Sequence, residues 1–193
     1  MNHRRSIRRQ GYDYSQAGAY FVTICAQGRE CLFGGIENDV TALNGYGCVV
    51  HDEWLRTAGI RAEIRTGEFV VMPNHFHGIV IINESTAGAI RELPLRTYNH
   101  FVGAIHESPL QSPLPGTSRQ QRRQMALSKI IGRFKMLTAK RINEIRQLPG
   151  VPVWQRNYYE HVIRDEADYA QIAEYIADNP RRWEEDVLHP GRL

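Results

Sequence analysis

The sequence predicts an α+β fold of the ferredoxin-like, split βαβ kind: an antiparallel sheet with helices on one face, plus a C-terminal helix. Three observations point there. Short runs of β-branched and aromatic residues alternate with longer stretches of helical spacing. Their order is strand, helix, strand, strand, helix, strand, helix. No internal repeat or domain linker interrupts them beyond an insertion at residues 83–118. At 193 residues, 42% of them hydrophobic, the chain suits one folded domain with an ordinary core.

Residues 19–25 (AYFVTIC) read as the first strand, and Gly34-Gly35 as a turn after it. Residues 49–58 (VVHDEWLRTA) carry apolar side chains at helical spacing, with a start that can lie as early as Asn44 or Gly47. Residues 68–72 (EFVVM) read as a second strand and Pro73-Asn74 as a turn. Residues 75–82 (HFHGIVII) then read as a third strand, central because both of its faces become apolar. Residues 83–118 hold four of the nine prolines and little periodicity, which reads as a flexible insertion. Leu127, Ile130, Ile131, Phe134, Leu137 and Ile142 mark an amphipathic helix over 124–144, with Lys129, Arg133, Lys140 and Arg141 on its other face. Residues 153–163 (VWQRNYYEHVI) read as a fourth strand. Residues 166–178 read as the last helix, stopped before Asn179-Pro180 because a residue preceding proline avoids the α region.

Composition excludes several classes. Three cysteines (Cys25, Cys31, Cys48) without a CxxC pair form no disulfide framework, which favours a reducing compartment. No apolar run reaches the roughly 18 residues of a membrane span, and no apolar stretch follows the basic N-terminus in signal-peptide fashion. A cytoplasmic protein with no membrane partner is expected. The net charge of +3 is modest, but only Lys129, Lys135 and Lys140 among 24 basic residues are lysine. Arginine grips phosphate with a planar fork, although a GC-rich genome writes the same composition. Residues 1–10 form a basic arm whose Arg4, Arg5, Arg8 and Arg9 can meet phosphates or simply be solvated.

The chemistry centres on His75-Phe76-His77. In a strand, residues two apart point to the same side, so the histidines project together and Phe76 turns away. Two neutral imidazoles so placed can hold one divalent metal, leaving positions for water and substrate oxygens. Alone, a His-x-His pair at a strand start is as readily a mere edge feature. Here it follows a tight turn and opens a buried strand, which fixes both side chains on a rigid element. A second stripe lies on the last helix, where Ile172, Tyr175, Ile176 and Asn179 fall at helical spacing. A tyrosine in such a stripe is commonly core. The functional alternative is a nucleophile facing the metal, whose attack on phosphorus leaves a phosphotyrosine that conserves bond energy for rejoining. Asn179 either adds an amide oxygen to the metal or, more simply, caps the helix before Pro180.

These pieces resemble a known family. The anchors are Gly11-Tyr12-Asp13-Tyr14, the block GAYFVTIC over 18–25, and Met72-Pro73-Asn74-His75-Phe76-His77-Gly78. They continue in Gly132-Arg133-Phe134-Lys135, in VWQRNYYEH over 153–161, and in Tyr175-Ile176-Ala177-Asp178-Asn179-Pro180. Across nearly the whole chain they are similar to the REP-associated tyrosine transposases, members of the His-hydrophobic-His single-tyrosine transposases that act on single-stranded DNA. The resemblance implies a ferredoxin-like fold, Mg²⁺ or Mn²⁺ on His75 and His77, and Tyr175 as the nucleophile of a 5′-phosphotyrosine bond. It implies single-stranded or hairpin DNA at repetitive palindromes as substrate. Related insertion-sequence transposases carry glutamine four residues after the tyrosine, where this chain has the shorter Asn179, so His161 is a rival third ligand. Residues 83–118 have no counterpart.

Tyr158 and Tyr159 are rival tyrosines, or platforms for unpaired bases. Arg133 and Lys135 join the arm as candidate phosphate contacts. Besides the nicking-joining enzyme, two functions remain open: a hairpin-binding module that does not cut, and a metal hydrolase using water. Against the last stands the absence of any Asp or Glu between Glu68 and Glu84. Both a monomer and a homodimer are compatible with the sequence.

Overall fold

The computed structural model describes residues 17–59, 63–83 and 126–192. Its elements are β1 (Gly18–Cys25), β2 (Gly34–Glu37), β3 (Val40–Leu43), α1 (Gly45–Thr57), β4 (Ile64–Val71), β5 (His75–Ile82), α2 (Ala126–Ile145), β6 (Tyr159–Ile163) and α3 (Glu166–Asp178). The main sheet has four strands in the order β4-β5-β1-β6, every neighbouring pair antiparallel. With α1 and α2 as the connections, this is the split βαβ arrangement that the element order predicts.

Alternation along the strands divides the interior into two layers. Tyr20, Val22 and Ile24 of β1 and Phe76, Val80 and Ile82 of β5 pack with Trp54 of α1 and Leu127, Ile131 and Phe134 of α2. Each such side chain, fully buried, contributes roughly 1.5–3 kcal/mol. The opposite face carries Phe21, Ile79 and Ile163, covered by Ile176 of α3. The two inter-strand helices therefore share one face, and the C-terminal helix takes the other.

Local chemistry sets the helix starts. The Asn44 side chain accepts from the backbone N–H groups of Tyr46 and Gly47 at 2.9 and 3.0 Å, so α1 begins at the early limit of the sequence reading. Asp165 caps α3 by accepting from Asp168 N–H at 2.8 Å. At Gly67 the register of β4 slips between Thr66 and Phe69. A Cβ there would lie 2.6 Å from the Tyr169 hydroxyl, so the bare backbone admits α3, and Tyr169 donates to Glu68 at 2.6 Å beside it.

Three sequence expectations need correction. Gly34-Gly35 is not the turn: both glycines open β2, and the reversal falls at Asn38-Asp39, with φ of 50° and 62°. Those angles mark a type I′ hairpin, which asparagine and aspartate tolerate. The fourth strand is shorter than 153–163. Trp154 makes only an isolated bridge to Ala26, flanked by Gln155 N–H donating to the Cys25 carbonyl at 2.9 Å, and regular pairing begins at Tyr159. Asn179 does adopt α dihedrals (φ −56°, ψ −42°) before Pro180, since the chain runs on into a 3-10 segment, Pro180–Glu185, with proline at its start. The expected arm 1–10 and nearly all of the insertion 83–118 lie outside the described residues, Asn83 excepted.

Candidate active site

The strand period sends Phe76 into the layer beneath α1 and α2 and sends His75 and His77 to the α3 face, where both are buried. Their Nε2 atoms converge to 2.9 Å. The other ring nitrogens are held from behind. His75 Nδ1 meets Asn74 Oδ1 at 2.7 Å, and His77 Nδ1 meets the Thr23 hydroxyl at 2.8 Å, Thr23 being its register partner on β1. Burial lowers the His75 pKa to about 4, against smaller opposing effects of Asp186 and Asn179. Burial and the neighbouring His75 hold His77 well below its ordinary range. Both rings are therefore neutral near pH 7, the state in which imidazole binds a metal.

A carboxylate completes the group. Asp186, just after the 3-10 segment, brings Oδ2 to 3.7 Å from His75 Nε2, and one ligand atom each from His75, His77 and Asp186 lie within 4.8 Å of one another. The lack of acidic residues near the pair in sequence does not hold in space. Asp186 arrives along an irregular tail, which also places the Trp183 ring 6.1 Å from that of His75. Asn179 is the C-cap of α3, its backbone N–H donating to the Ile176 carbonyl at 3.4 Å, and its side chain, 4% exposed, makes no capping hydrogen bond to the segment that follows. Its amide biases both His75 and Tyr175, yet its Oδ1 is buried without a hydrogen-bond partner. The expected capping role holds through the backbone, with the side chain turned toward His75 and Tyr175. Two imidazole nitrogens and a carboxylate, with an unsatisfied buried amide oxygen on Asn179, are a donor set that fits a divalent metal ion.

Tyr175 lies on the same face. Its hydroxyl is 3.4 Å from His77 Nε2, and its ring packs edge-on against His77 at 5.3 Å and Phe21 at 6.0 Å. The residue is 44% exposed, so the hydroxyl is reachable from solvent. Burial raises its pKa; the Asn179 amide works against that, Asp186 adds to it, and Arg182 opposes it. The cleft at this point has a volume of about 300 Å³, and its wall includes Thr23, His77, Tyr159, Tyr175, Asp186 and Val187.

The remaining expected residues are distributed unevenly. Tyr158 and Tyr159 both line the cleft; Tyr159 is exposed there, whereas Tyr158 also leans on the helical-face core and lies 3.5 Å from the Ser128 hydroxyl. His161 shares the α3 face, but its Nε2 meets Asp168 at 3.1 Å and it is not part of the three-residue group. The structure brings Asp186 to the pair in its place. Arg133 is exposed on α2 and lines a groove with Arg56 and Glu53 on the helical face, away from Tyr175. Arg4, Arg5, Arg8 and Arg9 lie outside the described residues.

Lys135, an expected phosphate contact, is already engaged within the fold. Its ammonium donates to the carbonyls of Gln155 and Arg156 at 2.6 and 3.1 Å. Burial lowers its pKa from 10.5 to about 8, with Cys25 acting weakly in the other direction. The unfolded chain then keeps the proton to higher pH than the folded one. Stability from this group is fully present above pH 10.5 and is lost as pH falls through about 8. Relative to Lys135→Met, the wild type is expected to gain on the order of 2 kcal/mol across that interval, read from urea unfolding as a difference in slope with pH.

Fold and site together define an α+β chain in which two buried histidines, a carboxylate and a half-exposed tyrosine converge on one face of an antiparallel sheet. A protein of Haemophilus influenzae, described as uncharacterized, is 42% identical over 192 residues, covering 98% of this chain and 94% of that one. The chain belongs to the family of that Haemophilus protein. No family model matches it. Among solved structures, a REP-associated tyrosine transposase bound to a REP hairpin superposes with a TM-score of 0.45 at 16% identity, over 94% of this chain and 74% of that one. A protein of Deinococcus radiodurans R1, described as a candidate transposase, gives 0.42 at 14% identity, over 88% of this chain and 95% of its own. Among the described residues no helix is long and apolar enough to cross a membrane.

Proposed function

We propose that this chain is a divalent-metal-dependent enzyme that nicks and rejoins single-stranded or hairpin DNA, with Tyr175 as nucleophile. The observation that carries the reading is the Tyr175 hydroxyl at 3.4 Å from His77 Nε2, at the open side of the histidine–carboxylate group. The sequence resemblance to the REP-associated tyrosine transposases supports it independently. His75, His77 and Asp186 would hold Mg²⁺ or Mn²⁺, with the Asn179 amide oxygen as a fourth donor. When bound, the ion supplies Lewis-acid polarisation of the scissile phosphate. Tyr175 Oη attacks phosphorus, the P–O3′ bond breaks, and the departing strand leaves with a free 3′-hydroxyl while its neighbour stays on the tyrosine through a 5′-phosphate. The reverse attack by a 3′-hydroxyl restores the phosphodiester and the phenol without an external energy source. The Asn179 amide and Arg182 favour the phenolate that attack requires. Tyr159, exposed on the same cleft, offers a ring on which an unpaired base can stack.

Asp186 favours a second reading. A carboxylate beside the pair can take a proton from water, which makes the site a hydrolase that cuts without a covalent intermediate. Labelled hairpin and single-stranded oligonucleotides, incubated with the full chain and Mn²⁺ or Mg²⁺, separate the cases. The nicking-joining enzyme gives a denaturant-resistant protein–DNA adduct that chelation with EDTA abolishes. Cleavage without adduct is the hydrolase. Intact DNA held in a salt-dependent, metal-independent complex is the binding module.

A further inference from the structure

Asn74 has a fully buried side chain whose amide is completely used. Its Nδ2 donates to the Leu188 carbonyl at 2.7 Å and to the Arg29 carbonyl at 3.2 Å. Two carbonyl acceptors on one nitrogen fix which end of the amide is which, so the atom 2.7 Å from His75 Nδ1 is Oδ1, an acceptor. His75 must then carry its hydrogen on Nδ1, and the lone pair of Nε2 points at His77 and Asp186. The same amide reaches the tail. Leu188 is gripped at both ends: its carbonyl by Asn74, and its N–H by Asp186 Oδ1 at 2.6 Å. That closed turn is what presents Asp186 Oδ2 to His75 Nε2 at 3.7 Å.

We propose that Asn74 is a positioning residue that sets the tautomer of His75 and docks the Asp186 turn, so that two of the three prospective ligands depend on one amide. Its effect on metal affinity rests on the metal site under Proposed function. Its effects on tautomer and docking do not, and both can be read in metal-free protein. Long-range proton–nitrogen NMR of full-length wild type should show His75 with hydrogen on Nδ1, and the Leu188 amide should be protected from exchange. Asn74→Ala should return His75 to the Nε2–H form that a free imidazole prefers and speed Leu188 exchange by about tenfold or more. Asn74→Asp keeps an acceptor for His75 and removes both donors. It should retain the Nδ1–H tautomer while Leu188 exchange rises, a separation that general misfolding cannot produce. Mn²⁺ affinity, read from the free-ion EPR signal, should fall about 10- to 100-fold in Asn74→Ala. An unchanged His75 tautomer in Asn74→Ala, or a still-protected Leu188 in Asn74→Asp, overturns the proposal. If wild type binds no Mn²⁺ while tautomer and exchange behave as stated, the metal reading fails and the positioning role stands.

Discussion

Tyr175→Phe is expected to remove the covalent protein–DNA adduct, lowering its rate of formation by at least about a thousandfold, because the change deletes only the oxygen proposed to attack phosphorus. The fold should barely register it. The residue is 44% exposed and its hydroxyl meets His77 Nε2 only at 3.4 Å, so the stability change should stay within about 1 kcal/mol. Metal affinity should also survive, since no ligand is touched. This pattern separates a nucleophile from a residue that only shapes the cleft, and it is read by running adduct formation, thermal unfolding and Mn²⁺ binding on the same preparation. An adduct that persists in Tyr175→Phe and disappears in Tyr159→Phe would move the nucleophile to β6, where Tyr159 lines the same cleft.

Phe76→Ala is expected to be the most destabilising single change near the site, at about 3–5 kcal/mol in urea unfolding. Phe76 is fully buried, with ring centroids 4.6 Å from Trp54, 5.3 Å from Phe134 and 6.1 Å from Phe69. The neighbouring Gly78 shows how tight this packing is. A Cβ there would come within 2.7 Å of the Phe76 ring and 2.8 Å of Trp54, so glycine is required for the two rings to lie over the strand. Phe76 sits between the two histidines on the opposite face, which makes it the anchor that holds their backbone in register. A loss well under 2 kcal/mol would mean that the surrounding rings collapse into the space, contrary to so rigid a packing.

The elements with strong periodicity were legible from sequence. β5 and α3 run from His75 to Ile82 and from Glu166 to Asp178, as the alternation and the 3.6-residue spacing require. The pairing of His75 with His77 followed from the same alternation. The β2–β3 hairpin was not legible, because Gly34-Gly35 outweighed a weak four-residue pattern whose real turn is at Asn38-Asp39. Asp186 was missed for a different reason. It approaches His75 from 111 positions away, just past a short kinked 3-10 segment, too brief for a period to mark which side chain turns inward. Lys135 and Asn179 show what spacing cannot: charge and helix position suggest a phosphate contact and a cap, and Asn179 is the cap, but burial against the carbonyls of 155 and 156 and beside His75 gives each side chain partners that no period marks.

The central place of β1 in the sheet has a consequence for biosynthesis. β1 is among the first described elements to leave the ribosome, yet one of its two partners, β6, is among the last. The sheet cannot close until most of the chain has been made, and pairings this distant are slow to form. The parts of the cleft emerge on the same schedule: Thr23 early, the histidines midway, Tyr175 and Asp186 near the finish. The cleft is therefore assembled only when the last described α-helix and the turn after it have been made.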